Sequence, residues 1–174
     1  MDVAGVSEDS WTAVILQGSG TYAVEAVLQT TSPREGARIL VIANGAYGKR
    51  MVKMCQVAGI ECDVVTSSEV LPVDLKKVGL NLNNMYFSLK CKFKTQITDQ
   101  LSSGVKYSTV AVVHCETSSG VMNDVSAVGD LVRLHQPMAH YLVDAMSSFG
   151  AVHLDLLNVD FVVSSANKCL QVYW

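Results

Sequence analysis

Short apolar runs alternate along the chain with segments of helical periodicity. Runs typical of β-strands cover residues 12–17, 38–43, 61–66, 107–115, 139–145 and 159–166. Helical patterns cover residues 21–29, 47–59 and 124–135, and the second of these ends at Gly59, a residue suited to a helix C-cap. This alternation predicts an α/β domain with a mostly parallel sheet flanked by helices.

Residues 79–94 depart from this order, because they show neither clean periodicity nor turn residues and are locally basic and aromatic. We interpret them as a surface insertion. A helical hairpin or a partner-binding loop stays open as an alternative.

Composition narrows the class of protein. Hydrophobic residues make up 49% of the chain and charged residues 17%, which excludes a disordered protein. The mean hydropathy of +0.28 fits strands buried on both faces, or a surface left bare by missing parts. A net charge of −3 gives no reason to expect nucleic acid or an anionic membrane as a partner.

The cysteine pattern and the N-terminal sequence indicate whether the protein binds a metal and in which cellular compartment it lies. Five cysteines without a CxxC pair argue against a disulfide framework or a zinc site, so we expect no bound metal. The N-terminus lacks a signal-peptide pattern, and no stretch is apolar over the ~18 residues that a membrane span needs. We therefore expect a soluble, cytoplasmic protein.

A glycine-rich turn is the first candidate for binding chemistry. Gln17-Gly18-Ser19-Gly20-Thr21 stands between a predicted strand and a predicted helix. Free N–H groups at a helix start, together with nearby hydroxyl groups, favour a phosphate. The ordinary alternative, a plain N-cap, is the commoner role of such a turn.

Asp144 and Lys168 are the other two candidates. Asp144 falls within the apolar run at 139–145, and the carboxyl ends of parallel strands face the ligand crevice; its alternative role is to cap the next turn. Lys168 follows the last apolar run among small residues, and partial burial would lower the pKa of its amine and make it nucleophilic. Its alternative is an ordinary surface lysine.

The glycine-rich turn, Asp144 and Lys168 indicate more together than each does alone. A phosphate cradle, an acid and an amine at successive ligand-facing positions are what pyridoxal 5′-phosphate needs. The cradle would hold the phosphate, Asp144 would keep the pyridine nitrogen protonated, and Lys168 would bond covalently to the cofactor and then carry a proton.

Five strings of the sequence resemble, in the same order, consecutive blocks of the class V pyridoxal-phosphate-dependent aminotransferases. The strings are LQGSGTYAVEAVL, ANGAYGKRM, VVHCETSSGVMN, VDAMSSFG and SSANKCL, and they span about residues 10–170 except for 79–94. The wording of the last three is closest to that of the 2-aminoethylphosphonate–pyruvate transaminases.

The resemblance implies a fold-type I cofactor-binding domain and roles for individual residues. Tyr47 would stack on the pyridine ring, with a helix-start core aromatic as its alternative. Thr117 would lie near the cofactor's phenolic oxygen, Asn167 is a weaker contact candidate, and His114 is interpreted as structural. The implied cofactor-binding residues are Ser19, Gly20, Thr21, Tyr47, Thr117, Asp144 and Lys168, and Lys168 is also the implied catalytic residue.

The resemblance also implies a reaction. The amino group of 2-aminoethylphosphonate would pass to pyruvate, giving phosphonoacetaldehyde and alanine, so that the partners would be small amine and 2-oxo acid substrates and, in the full-length form, a second subunit of a homodimer. One alternative is an alanine–glyoxylate or serine–pyruvate type of aminotransferase, although those tend to carry His where Thr21 stands. The other is a non-catalytic truncated isoform that pairs with full-length subunits.

Family members run to about twice this length. The resemblance therefore implies that residues 1–174 form a partial large domain, with an insertion at 79–94 and without the C-terminal small domain. On that interpretation we expect the chain alone to be an inactive fragment, and an organellar destination of the longer protein stays open.

Overall fold

The computed structural model describes residues 4–66 and 94–170, which form a five-stranded sheet covered by helices on both faces. Its strands are β1 (Arg38–Ala43), β2 (Glu61–Thr66), β3 (Thr109–Val113), β6 (His140–Asp144) and β7 (Phe161–Val163). They lie in the order β2-β1-β3-β6-β7, and every neighbouring pair is parallel. A short antiparallel hairpin of β4 (Cys115–Glu116) and β5 (Val121–Met122) follows β3. The predicted α/β fold with a mostly parallel sheet is confirmed.

Four helical segments lie in the described residues, and three of their ends have a side-chain or glycine cap. They are α1 (Gly20–Thr30), α2 (Ala46–Ala58), a helical segment α3 over residues 94–101, and α4 (Val125–His135). The side chains of Ser19 and Asp124 accept hydrogen bonds from the first turns of α1 and α4. Gly59 ends α2 with a φ of 70°, a left-handed conformation that glycine adopts without strain.

Both faces of the sheet are buried. Leu40 and Ile42 of β1 pack into the cluster that includes residues of α3 and α4, whereas Ile39 and Val41 pack into the cluster with α1 and α2. All four side chains are at most 1% exposed. The continuous apolar run at 38–43 therefore belongs to a strand covered by helices on both sides.

The strand predicted for residues 12–17 is wrong. This segment pairs with neither edge of the sheet, β2 or β7, and Val14 and Ile15 are 74% and 96% exposed. Its β-branched residues favour an extended chain, but strand propensity is expressed only where a partner strand is available. The segment instead runs along the mouth of a large cavity.

Two further predictions concern length and insertion. Residues 79–93 of the predicted insertion lie outside the described residues, and residue 94 lies in α3. Within the ranges that the structure describes, no helix combines the length and apolarity needed to cross a membrane.

Candidate active site

The carboxyl ends of β3, β6 and β7 open into a cavity of about 1020 Å³. Helices α1 and α2, residues 11–16 and the turn after β7 also contribute to its wall. The cavity is lined by all seven residues that the sequence predicts for the site, namely Ser19, Gly20, Thr21, Tyr47, Thr117, Asp144 and Lys168. A smaller cavity of about 580 Å³ near Trp11 and His153 is lined by none of them, so the chemistry is concentrated in the larger one.

The glycine-rich turn forms the start of α1. Ser19 is its N-cap, and the Ser19 hydroxyl accepts a hydrogen bond from the Tyr22 N–H at 3.3 Å. Gly20 and Thr21 begin the helix, so their N–H groups have no acceptor within it. A Cβ on Gly20 would clash with the Met146 side chain. The turn is therefore a capped helix start that lies against the loop following Asp144, and the two interpretations of this sequence are compatible.

Tyr47 is positioned by a buried carboxylate from another part of the chain. Glu116 is 0% exposed, and its Oε2 accepts hydrogen bonds from the N–H groups of Tyr47 and Gly48 at 3.0 and 3.2 Å. The Ser118 hydroxyl accepts from the Ala46 N–H at 2.8 Å. The β4–β5 hairpin thus caps the N-terminus of α2, where a negative charge is stabilised by the helix dipole.

The same hairpin carries Thr117, whose side chain is exposed and faces the cavity. Thr117 directly follows Glu116, so the residue that caps α2 also fixes the backbone from which Thr117 projects. A side chain at position 45 would clash with Glu116 and Ser118, which explains why Gly45 stands at this contact. The hairpin therefore fixes the position of Thr117 relative to Tyr47.

Asp144 ends β6 in a buried position, with 7% of its surface exposed. Its Oδ1 accepts one hydrogen bond, from the Met146 N–H at 2.9 Å. Burial raises the pKa of this carboxyl group, the Met146 hydrogen bond opposes the rise, and the negative charge of Glu116 adds to it. A cationic ring nitrogen placed beside Asp144 would favour its ionised form.

The partial burial expected for Lys168 is wrong. The side chain is exposed, although it lines the same cavity as Asp144. The physical reason is its place in a turn over residues 166–170 beyond β7, where the small neighbours Ala166 and Asn167 cannot cover it. Asn167 also lines the cavity, and its Oδ1 accepts a hydrogen bond from the Ser165 hydroxyl at 2.5 Å.

His114 lies outside the cavity lining. Its Nδ1 is 2.9 Å from the Ser148 hydroxyl, and burial lowers the pKa of the imidazole, which favours the neutral ring. This placement fits the structural role that we predicted.

Two residues that the sequence alone did not single out also line the cavity. The Ser164 hydroxyl is buried without a hydrogen-bond partner among the described residues. Arg50 lies over the ring of Tyr47, with its Cζ 4.9 Å from the ring centroid. Its spacing of three residues from Tyr47 on a predicted helix was a signal for Arg50, whereas nothing in the local sequence marks Ser164.

The donors and charges of the cavity fit pyridoxal 5′-phosphate. Among the described residues that line it, the charged side chains are Arg50, Asp144 and Lys168. Two cations and free helix N–H groups suit a phosphate and a carbonyl that reacts with an amine, and one buried carboxylate suits a protonated pyridine. The buried, unpaired Ser164 hydroxyl is a further group that a polar ligand would satisfy.

Comparison with known sequences identifies the protein family that this chain matches. The family model for "Aminotransferase class-V" matches residues 3–171. The 2-aminoethylphosphonate–pyruvate transaminase of Klebsiella pneumoniae is 41% identical over 165 residues, which is 94% of this chain and 39% of that protein. The bifunctional phosphonoacetaldehyde hydrolase/aminoethylphosphonate transaminase of Clostridioides difficile is 38% identical over 98% of this chain and 24% of its own length. The chain thus spans well under half the length of these relatives.

Solved structures agree on the fold. The pyridoxamine–pyruvate aminotransferase of Mesorhizobium loti matches 97% of this chain and 37% of its own with a TM-score of 0.71 at 24% identity. The ureidoglycine–glyoxylate aminotransferase of Bacillus subtilis matches 91% of this chain and 35% of its own with a TM-score of 0.70 at 21% identity. At these identities the likeness concerns the fold, which is part of the large domain of a fold-type I enzyme.

Proposed function

Because the chain belongs to the class V aminotransferase family, we propose that it forms the cofactor-binding part of a 2-aminoethylphosphonate–pyruvate transaminase. The family's cofactor is pyridoxal 5′-phosphate. The amino group of 2-aminoethylphosphonate would be transferred to pyruvate, with phosphonoacetaldehyde and alanine as products. The observation that carries the proposal is that Asp144, Lys168 and the glycine-rich turn at 17–21 line one cavity.

Each residue would have a defined task. The N–H groups of Gly20 and Thr21 and the Thr21 hydroxyl would bind the phosphate at the start of α1. The Ser19 hydroxyl, already engaged as the N-cap, would contribute through the conformation of the turn. Tyr47 would cover one face of the pyridine ring, and Thr117 would donate a hydrogen bond to the phenolic oxygen.

Asp144 and Lys168 would carry the electronic and proton-transfer steps. Bound pyridoxal phosphate supplies an electron sink for the bonding pair released at the substrate carbon. The Asp144 carboxylate would hold the proton on the pyridine nitrogen. The Lys168 amine would remove the proton from the substrate carbon that bears nitrogen and deliver it to C4′ of the cofactor.

The names of the relatives support this substrate pair over other class V reactions. Relatives at 36–41% identity are named as transaminases of 2-aminoethylphosphonate, whereas the glyoxylate-dependent enzymes are structural neighbours at 21–23% identity. The proposed homodimer of the longer protein and the partial-domain assignment rest on the same family membership.

The decisive test is covalent attachment of the cofactor to Lys168. The purified chain is mixed with pyridoxal phosphate, reduced with borohydride, digested and analysed by mass spectrometry. We expect a visible absorption band before reduction and one phosphopyridoxyl group on the peptide that contains Lys168. Lys168→Ala should lose both signals, and Lys49→Ala serves as a control for non-specific labelling of exposed lysines. Labelling that is spread over many lysines and unaffected by Lys168→Ala would overturn the proposal.

A further inference from the structure

Arg50 shares one face of α2 with Tyr47. The two residues are three positions apart, so their side chains are neighbours on the helix surface. The guanidinium lies over the aromatic ring at 4.9 Å, within the range of a cation–π contact. Tyr47 and Arg50 are exposed and line the cavity, together with Met51 and Met54 of the same helix.

Arg50 also reaches the start of α1. Its Nη1 donates a hydrogen bond to the Thr21 Oγ1 at 3.3 Å. One guanidinium therefore contacts both Tyr47 and the glycine-rich turn. Thr21 and Tyr47 are 26 positions apart in the sequence. The guanidinium stands beside the positive end of α1, where a cation is disfavoured unless an anion lies nearby.

The partners of Arg50 differ from those of two other arginines. Arg38 binds Asp63 at 2.9 Å, and Arg133 binds Asp160 at 2.6 Å. Within the described residues, Arg50 forms no ion pair and contacts a hydroxyl and an aromatic ring, both neutral. A guanidinium carries five N–H donors, so most of them stay available to an incoming anion.

We propose that Arg50 binds the phosphate of the cofactor and so selects the phosphorylated form of the vitamin over the unphosphorylated form. The inference rests on the proposed function and extends it by one residue. Thr21 places the guanidinium at the phosphate-binding end of the cavity. Phosphate is the anion best suited to a planar guanidinium together with helix N–H groups. The charge of Arg50 reaches Asp144 as well, since it acts to lower the pKa of that carboxyl group.

The test compares pyridoxal phosphate with pyridoxal. Binding of each is titrated to the wild-type chain, to Arg50→Gln and to Arg50→Lys through quenching of protein fluorescence. Arg50→Gln should weaken binding of pyridoxal phosphate about tenfold, because a charge-assisted hydrogen bond at an exposed site is lost. Binding of pyridoxal should change less than about twofold, since pyridoxal carries no phosphate. Arg50→Lys should restore part of the loss.

Lys53→Gln is the matched control. Lys53 lies on the same helix, is exposed and does not line the cavity, so its replacement removes the same charge from the chain. It should leave both affinities near those of the wild type. If Arg50→Gln lost the same affinity for pyridoxal as for pyridoxal phosphate, Arg50 would only hold Tyr47 and Thr21 in position, and the inference would be overturned.

A second measurement separates this inference from the proposed function. Inorganic phosphate is added to the wild-type chain and to Arg50→Gln, and binding is followed by broadening of the phosphorus-31 resonance. We expect broadening in the wild type and a clear reduction in Arg50→Gln. Unchanged broadening in Arg50→Gln would overturn the inference alone, whereas failure of the Lys168 labelling would overturn the proposed function.

Discussion

The two ends of the sheet treat their polar groups differently. At the amino ends of the strands, Arg38 donates two hydrogen bonds to Asp63, both at 2.9 Å, and the Tyr107 hydroxyl donates to the same carboxylate at 2.7 Å. Near the amino ends of β6 and β7, Arg133 and Asp160 form an ion pair at 2.6 Å. These four charged groups are satisfied by partners within the chain.

At the carboxyl ends, the comparable groups are left with few partners. The Asp144 carboxylate accepts one hydrogen bond, Arg50 contacts neutral groups, and the buried Ser164 hydroxyl has no partner among the described residues. Unsatisfied buried groups lower stability, and they are concentrated where a ligand is expected. The amino ends thus contribute to stability, whereas the carboxyl ends are arranged for binding.

Glu116 is the exception, and removing it should have the largest effect on stability. It lies at the carboxyl ends, but its carboxylate is fully buried and bound by N–H groups of α2. Glu116→Ala leaves those donors unsatisfied and removes the cap, so the free energy of unfolding should fall by about 2–4 kcal/mol. Urea unfolding followed by circular dichroism measures this loss.

Ser118→Ala is the control for Glu116→Ala. It removes two hydrogen bonds of the Ser118 hydroxyl, one accepted from the Ala46 N–H and one donated to the Glu116 Oε1, but leaves the buried carboxylate in place, so we expect a loss of about 1 kcal/mol. Unchanged stability in Glu116→Ala together with lost cofactor binding would place Glu116 with the ligand-binding groups and weaken the comparison.

Neutralising one carboxylate at each end should change stability in opposite directions. Asp63→Asn weakens the contacts with Arg38 and Tyr107 and should lower the free energy of unfolding by about 1 kcal/mol. Asp144→Asn removes a buried, unpaired charge and should raise the free energy of unfolding by up to about 1 kcal/mol, while it abolishes activity of the longer enzyme. Destabilisation by both substitutions would contradict the assignment of Asp144 to a ligand.

The pH dependence of these two differences follows from the direction of each pKa shift. The hydrogen bond from Arg38 lowers the pKa of Asp63, so its stabilising contribution is present above the unfolded value of about 3.9 and is lost as the pH falls below it. Burial raises the pKa of Asp144, so its destabilising contribution is fully present above that raised pKa and fades as the pH falls from there toward the unfolded value of about 3.9. The stability gain of Asp144→Asn should therefore shrink at a higher pH than the loss of Asp63→Asn.

The fold was more predictable from sequence than the state of the site residues. The uninterrupted run at 38–43 and the capping residues Ser19 and Gly59 depend on local patterns, and the structure confirms the elements that they predict. The strand at 12–17 and the burial of Lys168 depended on neighbours distant in sequence, and both predictions were wrong. The positions of Tyr47, Thr117, Asp144 and Lys168 at one cavity followed from the rule that parallel strands end at the same edge. The rule does not cover the turn at 17–21, because residues 12–17 are not a strand of the sheet. The hydrogen-bond partners of the site residues did not follow from it, because Glu116 and Tyr47 meet through tertiary packing.

Two serines at the carboxyl ends of the strands, Ser148 and Ser164, allow the closest comparison, and their replacement should have the smallest effects on the free energy of unfolding. Ser148 is 1% exposed and its hydroxyl lies 2.9 Å from the His114 Nδ1, so Ser148→Ala should cost about 1 kcal/mol of unfolding free energy. Ser164→Ala removes a hydroxyl that has no such partner and should be neutral or stabilising by a few tenths of a kcal/mol. The same atoms are deleted from both sites, so any difference arises from the surroundings. With pyridoxal phosphate added, Ser164→Ala should become less stable than the wild type, because the ligand would supply the hydrogen-bond partner that the chain does not. The effect of Ser148→Ala should stay the same. Thermal unfolding of both variants with and without the cofactor measures this, and a loss for Ser164→Ala in the cofactor-free chain would show that its hydroxyl is satisfied by water rather than held for a ligand.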